Sequence, residues 1–124
     1  MAKTDPHPER TTDLGVVRIN NDAIATIAST AALEVKGVSK MGGGLARTFL
    51  DMVISKQGHR GVRIQMKDSE VKMTLAIIVE YGVDIPAIAD EVQENVKRAV
   101  EKFSGLILSE VDVVVEGVRP PAKS

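Results

Sequence analysis

Apolar residues recur along this chain with two different periods, and the periods divide it into elements. From Gly15 to Ile19 the run GVVRI places Val17 and Ile19 on one face and Val16 and Arg18 on the other, which predicts a first strand. Asn20 and Asn21 then offer N-cap side chains ahead of Ile24, Ile27, Ala28, Ala31 and Val35. Their spacing of three and four predicts a helix that Gly37 stops. Further on, Val62, Ile64 and Met66 alternate with Arg63, Gln65 and Lys67. The tight segment Asp68-Ser69 turns the chain into Val71, Met73, Leu75, Ile77 and Val79, and the pair reads as a hairpin. Ala76 and Ile78 make the second arm apolar on its other face too, so that arm is expected to be central or covered on both sides.

The strongest helical pattern begins at Asp84, an N-cap residue with Pro86 in the first turn. Ile85, Ile88, Ala89, Val92, Val96, Ala99, Val100 and Phe103 trace one stripe along it. Charged residues fill the opposite face, with Glu94 and Arg98 as an attractive pair four residues apart, and Gly105 ends the helix. In the last run, Leu106 to Val118, Leu106 and Leu108 are out of phase with Val111, Val113 and Val115, which predicts an irregularity near Ser109 and Glu110. The least regular stretch is Val38 to Gly61. There Gly42, Gly43 and Gly44 form a hinge, and Leu45, Phe49, Met52 and Val53 fit one face of a short helix over 45–57.

The resulting order is β-α-(helical insertion)-β-β-α-β. It predicts an α+β domain, an antiparallel sheet with helices on one face, in a ferredoxin-like or similar two-layer sandwich. The domain is expected to span 14–118. Flexible tails are expected at 1–13, which has two prolines and no apolar run, and at 119–124, which reads RPPAKS. The 124 residues suit one domain. The longest unbroken apolar run, Leu75 to Val79, is far short of the ~20 residues that span a bilayer, so no direct membrane insertion is expected. The absence of Cys and of an export signal gives the cytoplasm as the expected address.

Cysteine's absence also removes thiolate metal sites, cysteine nucleophiles and redox CxxC pairs. Phe49, Tyr81 and Phe103 are the only Phe, Tyr or Trp residues, too few for a recognition surface of several stacked aromatics. Phe103 is assigned to the core stripe, Phe49 to the inserted helix and Tyr81 to the turn before the long helix, which leaves none for ligand recognition. No cofactor or metal site is expected. His7 lies in the N-terminal tail and His59 in a Gly-flanked loop, without a rigid partner for acid/base work. The GxxxxGK[ST], GxGxxG and GxSxG spacings are missing. Catalysis is therefore disfavoured.

The net charge of −1 conceals an asymmetry. Residues 36–67 carry Lys36, Lys40, Arg47, Lys56, Arg60, Arg63 and Lys67 against one carboxylate, Asp51. Lys40, Arg47, Lys56, Arg60 and Arg63 are the candidates for binding an anion or an acidic partner, with solvating surface charge as the plainer explanation. Gln93 borders the apolar stripe of the long helix. It is expected to satisfy a backbone group or to sit in a protein interface.

Taken in order, Gly15-Val16-Val17-Arg18-Ile19, Ile24, Ile27-Ala28, Ala31 and Glu34-Val35-Lys36-Gly37-Val38 resemble the alkaline shock protein family, also called the Gls-type envelope stress response proteins of Gram-positive bacteria. Tyr81-Gly82, Ile85, Val92-Gln93, Val96-Lys97, Gly105-Leu106, Val111-Asp112-Val113 and Gly117-Val118 continue the resemblance to residue 118. Asp112 stands where that family usually has Asn. The resemblance implies a non-enzymatic cytoplasmic protein of cell-envelope homeostasis and stress. It would be a scaffold or adaptor that self-associates into a homo-oligomer and is recruited to the inner face of the cell membrane by a small integral membrane protein. It supplies no catalytic residues. The alternative reading is a nucleic-acid-binding module that uses the basic segment 36–67, against which stands a pI near 6.1.

Overall fold

The computed structural model describes residues 9–43, 61–67 and 70–121. Its elements are β1 (Glu9–Thr12), β2 (Gly15–Arg18), α1 (Asn21–Leu33), β3 (Val38–Met41), β4 (Val62–Lys67), β5 (Glu70–Glu80), α2 (Ile85–Ser104) and β6 (Leu108–Arg119). The helix expected over 45–57 and the turn at Asp68-Ser69 lie outside the described residues, as do Phe49, His7 and His59.

β5 is the spine of the main sheet. On one side it pairs antiparallel with β4 along its first half (Val62↔Leu75 to Lys67↔Glu70) and with β3 near its end (Val38↔Val79 to Met41↔Ile77). On the other side β6 runs parallel to it, from Val71↔Leu108 to Glu80↔Arg119. The α+β class and the layer of helices on one face stand as expected. β6 departs from a purely antiparallel sheet because α2 carries the chain back along β5, and a strand entered through such a crossover lies parallel to its predecessor.

The alternation of β5 sets the two faces. Val71, Met73, Leu75, Ile77 and Val79 are each at most 1% exposed and form the core with Ile24, Ala28, Ala32, Val92, Val96 and Val100 from the helices. α2 begins as its sequence predicts: the Asp84 carboxylate accepts from Ala87 N at 3.3 Å, and Pro86 sits in the first turn. It ends at Gly105, whose φ of 79° is the left-handed C-cap that glycine adopts without a Cβ penalty. Asn20 takes the N-cap position of α1 but makes no side-chain cap hydrogen bond. The expected irregularity is present, since Val71 pairs with Leu108 but Lys72 with Glu110, leaving Ser109 as the extra residue.

Four sequence expectations are corrected. The first strand is not part of the main sheet: β2 pairs with β1, and Glu9–Thr12, expected in the N-terminal tail, form that partner strand. Every residue of β2 is exposed, so its valines alternate without covering anything. Val38–Met41 is a strand where no strand was expected; its four residues are too few for a visible period. Arg119, expected in the C-terminal tail, closes β6 opposite Glu80, with an ion-pair distance of 3.9 Å. Phe103 lies on the helical stripe but is 66% exposed, because the stripe runs on past the end of the sheet it covers.

β3 and β4 are two halves of one row. Their ends meet at Ala76, whose carbonyl accepts from Gly42 N and whose N–H donates to Gly61 O, both at 2.8 Å. Gly42 and Gly61 therefore meet at one rung of the sheet. That junction requires glycine: Gly61 has φ +86°, and a Cβ there would stand 2.7 Å from the Gly42 carbonyl oxygen.

Candidate functional site

The two flanks of α2 carry most of the specific polar geometry. At 100° per residue, Gln93, Lys97 and Glu101 fall on one side of the helix, above the outer edge of β6. Gln93 Nε2 donates to Val111 O at 2.9 Å, and Lys97 Nζ donates to Leu108 O at 3.2 Å and to Glu101 Oε2 at 2.7 Å. Glu101 Oε2 in turn accepts from Leu108 N at 2.9 Å. The three side chains stand in for a neighbouring strand along the first residues of β6. Hydrogen bonds from Lys97 and from the Leu108 amide, with the ammonium's charge, hold the Glu101 carboxyl below the ordinary value of 4.5. Gln93 thus satisfies a backbone carbonyl, the first of its two expected roles.

The other flank of α2 faces α1. Asn95 Nδ2 donates to Ala31 O at 2.8 Å, and Arg98 donates to Asn95 Oδ1 at 3.2 Å. The ion pair of the helix joins Lys97 to Glu101, whereas Arg98 turns to Asn95 rather than to Glu94. A cleft of about 460 Å³ opens beside these residues, bordered by Glu34, Lys36, Glu91 and Glu94. It mixes both signs of charge. Among the described residues no three of His, Cys, Asp and Glu are placed to hold a metal ion.

Of the basic candidates, Lys40 and Arg63 are described, while Arg47, Lys56 and Arg60 lie outside the described residues. Lys40 stands opposite Ile78 and Arg63 opposite Thr74, so both project from the sheet face turned away from the helices. Asp112, on the far side of Thr74, and Glu110, bridged to Lys72 at 3.4 Å, project from the same face. The cations are therefore interleaved with carboxylates.

Several large apolar side chains also lie outside the core. Leu14, at the turn between β1 and β2, is 98% exposed, and Val16 and Val17 beside it are about half exposed. The turn is a built one: Thr12 Oγ1 accepts from Leu14 N at 3.1 Å and donates to Gly15 O at 3.2 Å. Ile107 (70% exposed) and Phe103 are exposed just beyond and at the C-terminal end of α2. Sequence reasoning assigned Phe103 to the core stripe and read Val16 and Val17 as the two faces of a first strand; it did not single out Leu14 or Ile107. Among the described residues no helix is long and apolar enough to cross a membrane.

Residues 9–120 match the model of the alkaline shock protein 23 family, described as having a cell envelope-related function. The chain is 30% identical over 113 residues to the Bacillus subtilis protein YqhY, covering 91% of this chain and 84% of that one. It is 32% identical over 113 residues to YloU of the same organism, covering 90% and 94%. Both relatives are described as uncharacterized. A stress response regulator gls24 homolog of Streptococcus pyogenes is 26% identical over 106 residues, which cover 85% of this chain and 59% of that protein. A solved structure described as MamM-CTD 215-293 superposes with a TM-score of 0.49 at 19% identity, covering 79% of this chain and 99% of that one.

Proposed function

Since the chain belongs to the alkaline shock protein 23 family, whose function is cell envelope-related, we propose that it is a non-enzymatic scaffold or adaptor in cell-envelope homeostasis under stress, working through protein contacts. The observation that carries this reading is the set of apolar side chains held outside the core by ordered backbone: Leu14, Val16 and Val17 on the β1–β2 hairpin, with Phe103 and Ile107 near the end of α2. On the hairpin Leu14, Val16 and Val17 lie within a span of four residues, and apolar surface gathered in one place is a mark of protein contact sites. In this reading the protein works at the inner face of the cell membrane, held there by a small integral membrane protein, and associates with further copies of itself. The nucleic-acid alternative gains nothing from the described cations, because Lys40 and Arg63 share their face with Glu110 and Asp112.

Fractionation of gently lysed cells tests the proposal. A share of the wild-type protein should sediment with the envelope, survive nuclease and salt washing, and be released when membrane proteins are digested. The double variant Leu14→Asp with Val17→Asp, which touches no core position, should stay in the supernatant. A wild-type protein that never sediments under any stress, or that nuclease alone releases, contradicts the scaffold reading.

A further inference from the structure

The β1–β2 hairpin and the last turn of α2 lie at the same end of the domain. α1 reaches β3 through the short connection 34–37 and packs beside it, and β3 is antiparallel to β5, so α1 runs in the direction of β5. Its first residues, with the hairpin ahead of them, therefore sit where β5 begins. α2 returns along β5 and finishes at that end too, because β6 starts beside Val71. Within one copy the two features leave each other open, since Leu14, Phe103 and Ile107 all remain exposed. The hairpin also pairs with no other strand among the described residues. A two-stranded ribbon with neither face covered is marginal in water, so this one calls for a covering surface.

Charge decides what that surface is. From Thr12 to Val17 the only charged residue is Asp13, and from Lys102 to Ser109 it is Lys102, whose ammonium stands 5.6 Å from the centre of the Phe103 ring. Both are exposed, and neither forms an ion pair among the described residues. One patch is thus acidic and apolar, the other basic and apolar, and each complements the other. Tip against tip would set Asp13 against Asp13, and helix end against helix end would set Lys102 against Lys102. Like charges brought together oppose association. A lipid surface suits the tip poorly, because the Asp13 carboxylate would have to enter it beside Leu14. A second copy turned about a two-fold axis satisfies both patches at once.

We infer that the β1–β2 tip of one copy docks on the end of α2 of a second copy, with Asp13 against Lys102 and Leu14 over Phe103 and Ile107, and that the two-fold axis makes this contact twice. The inference rests on the protein-contact reading above and names the partner and the surface. Envelope sedimentation can persist in a chain that never dimerises, so the two readings fail separately.

The test is sedimentation equilibrium of the full chain over rising protein concentration. Wild type should show a monomer–dimer equilibrium. Asp13→Lys and Lys102→Asp, both at exposed positions and checked for fold by the amide spectrum, should each weaken dimerisation at least about tenfold, because each homodimer then holds two like-charged contacts. An equimolar mixture of the two variants should dimerise like wild type, since opposite charges then face each other in both contacts. The chain has no Cys of its own, so a spin label on Thr11→Cys in one copy should broaden the amide resonances of Phe103 and Ile107 in an isotopically labelled copy without the spin label. A wild type that stays monomeric at every concentration, a dimer that neither substitution weakens, or a mixture as weak as its components overturns the inference. So does a monomer that sediments with phosphatidylglycerol vesicles unless Leu14→Asp is introduced, because that gives this end of the domain to lipid.

Discussion

Single residues in this chain differ sharply in what their surroundings allow. Gly61 and Gly105 both have positive φ, at +86° and +79°. Only Gly61 also meets backbone, with a Cβ position 2.7 Å from Gly42 O and 3.1 Å from Ala76 O, whereas nothing lies within 4 Å of the Cβ position at Gly105. Gly105→Ala should therefore cost only the left-handed strain, ~1–2 kcal/mol. Gly61→Ala should cost more than that, because backbone must move as well, and urea denaturation of the two variants side by side measures the difference. Glu101 supplies a pH-dependent contribution. Its folded carboxyl titrates below the ordinary 4.5, so its stabilising effect is present above that value and is lost as pH falls through the lower folded value. The stability gap between wild type and Glu101→Gln should be present at neutral pH and close in acid; a gap of equal size at pH 7 and pH 3 contradicts the Lys97–Glu101–Leu108 arrangement.

At the scale of elements, what could be read in the chain depended on how much of each element's period is used in burial. α2 was legible to its caps because Ile88, Val92, Val96 and Val100 all face the sheet, and β5 was legible because its odd residues are buried without exception from Val71 to Val79. β2 looked like a core strand because β-branched residues alternate there, yet its burial is decided by a partner, β1, that has no apolar pattern of its own. Phe103 misled for the opposite reason, since its helical phase is right and only its distance along the axis places it past the sheet. Leu75→Ala, at 0% exposure, should cost ~2–5 kcal/mol. Phe103→Ala should stay within ~0.5 kcal/mol of wild type, and thermal unfolding of both variants checks the contrast. Of the candidate residues, Gln93's bond to the backbone was foreseeable from its place beside the stripe. The spacing of Gln93, Lys97 and Glu101 at four-residue intervals was the unread signal that one helix flank serves a strand edge.

For the molecule as a whole, the polar side chains of one α2 flank are engaged with the chain's own backbone, and the most exposed large apolar residues include Leu14 on the hairpin and Phe103 and Ile107 near the end of α2. In the proposed scaffold role these exposed side chains make the contacts with other proteins. Leu14, the most exposed of these side chains, is held at the hairpin turn by Thr12 and is the natural place to probe. Site-specific photo-cross-linking from position 14 in living cells, with the exposed position 91 of α2 as the control, probes the scaffold role at its most exposed side chain. Position 14 should give discrete protein adducts that fractionate with the envelope and disappear when Val17→Asp is added, and position 91 should give few or none. Equal, diffuse labelling from both positions, or adducts to nucleic acid alone, would contradict that role.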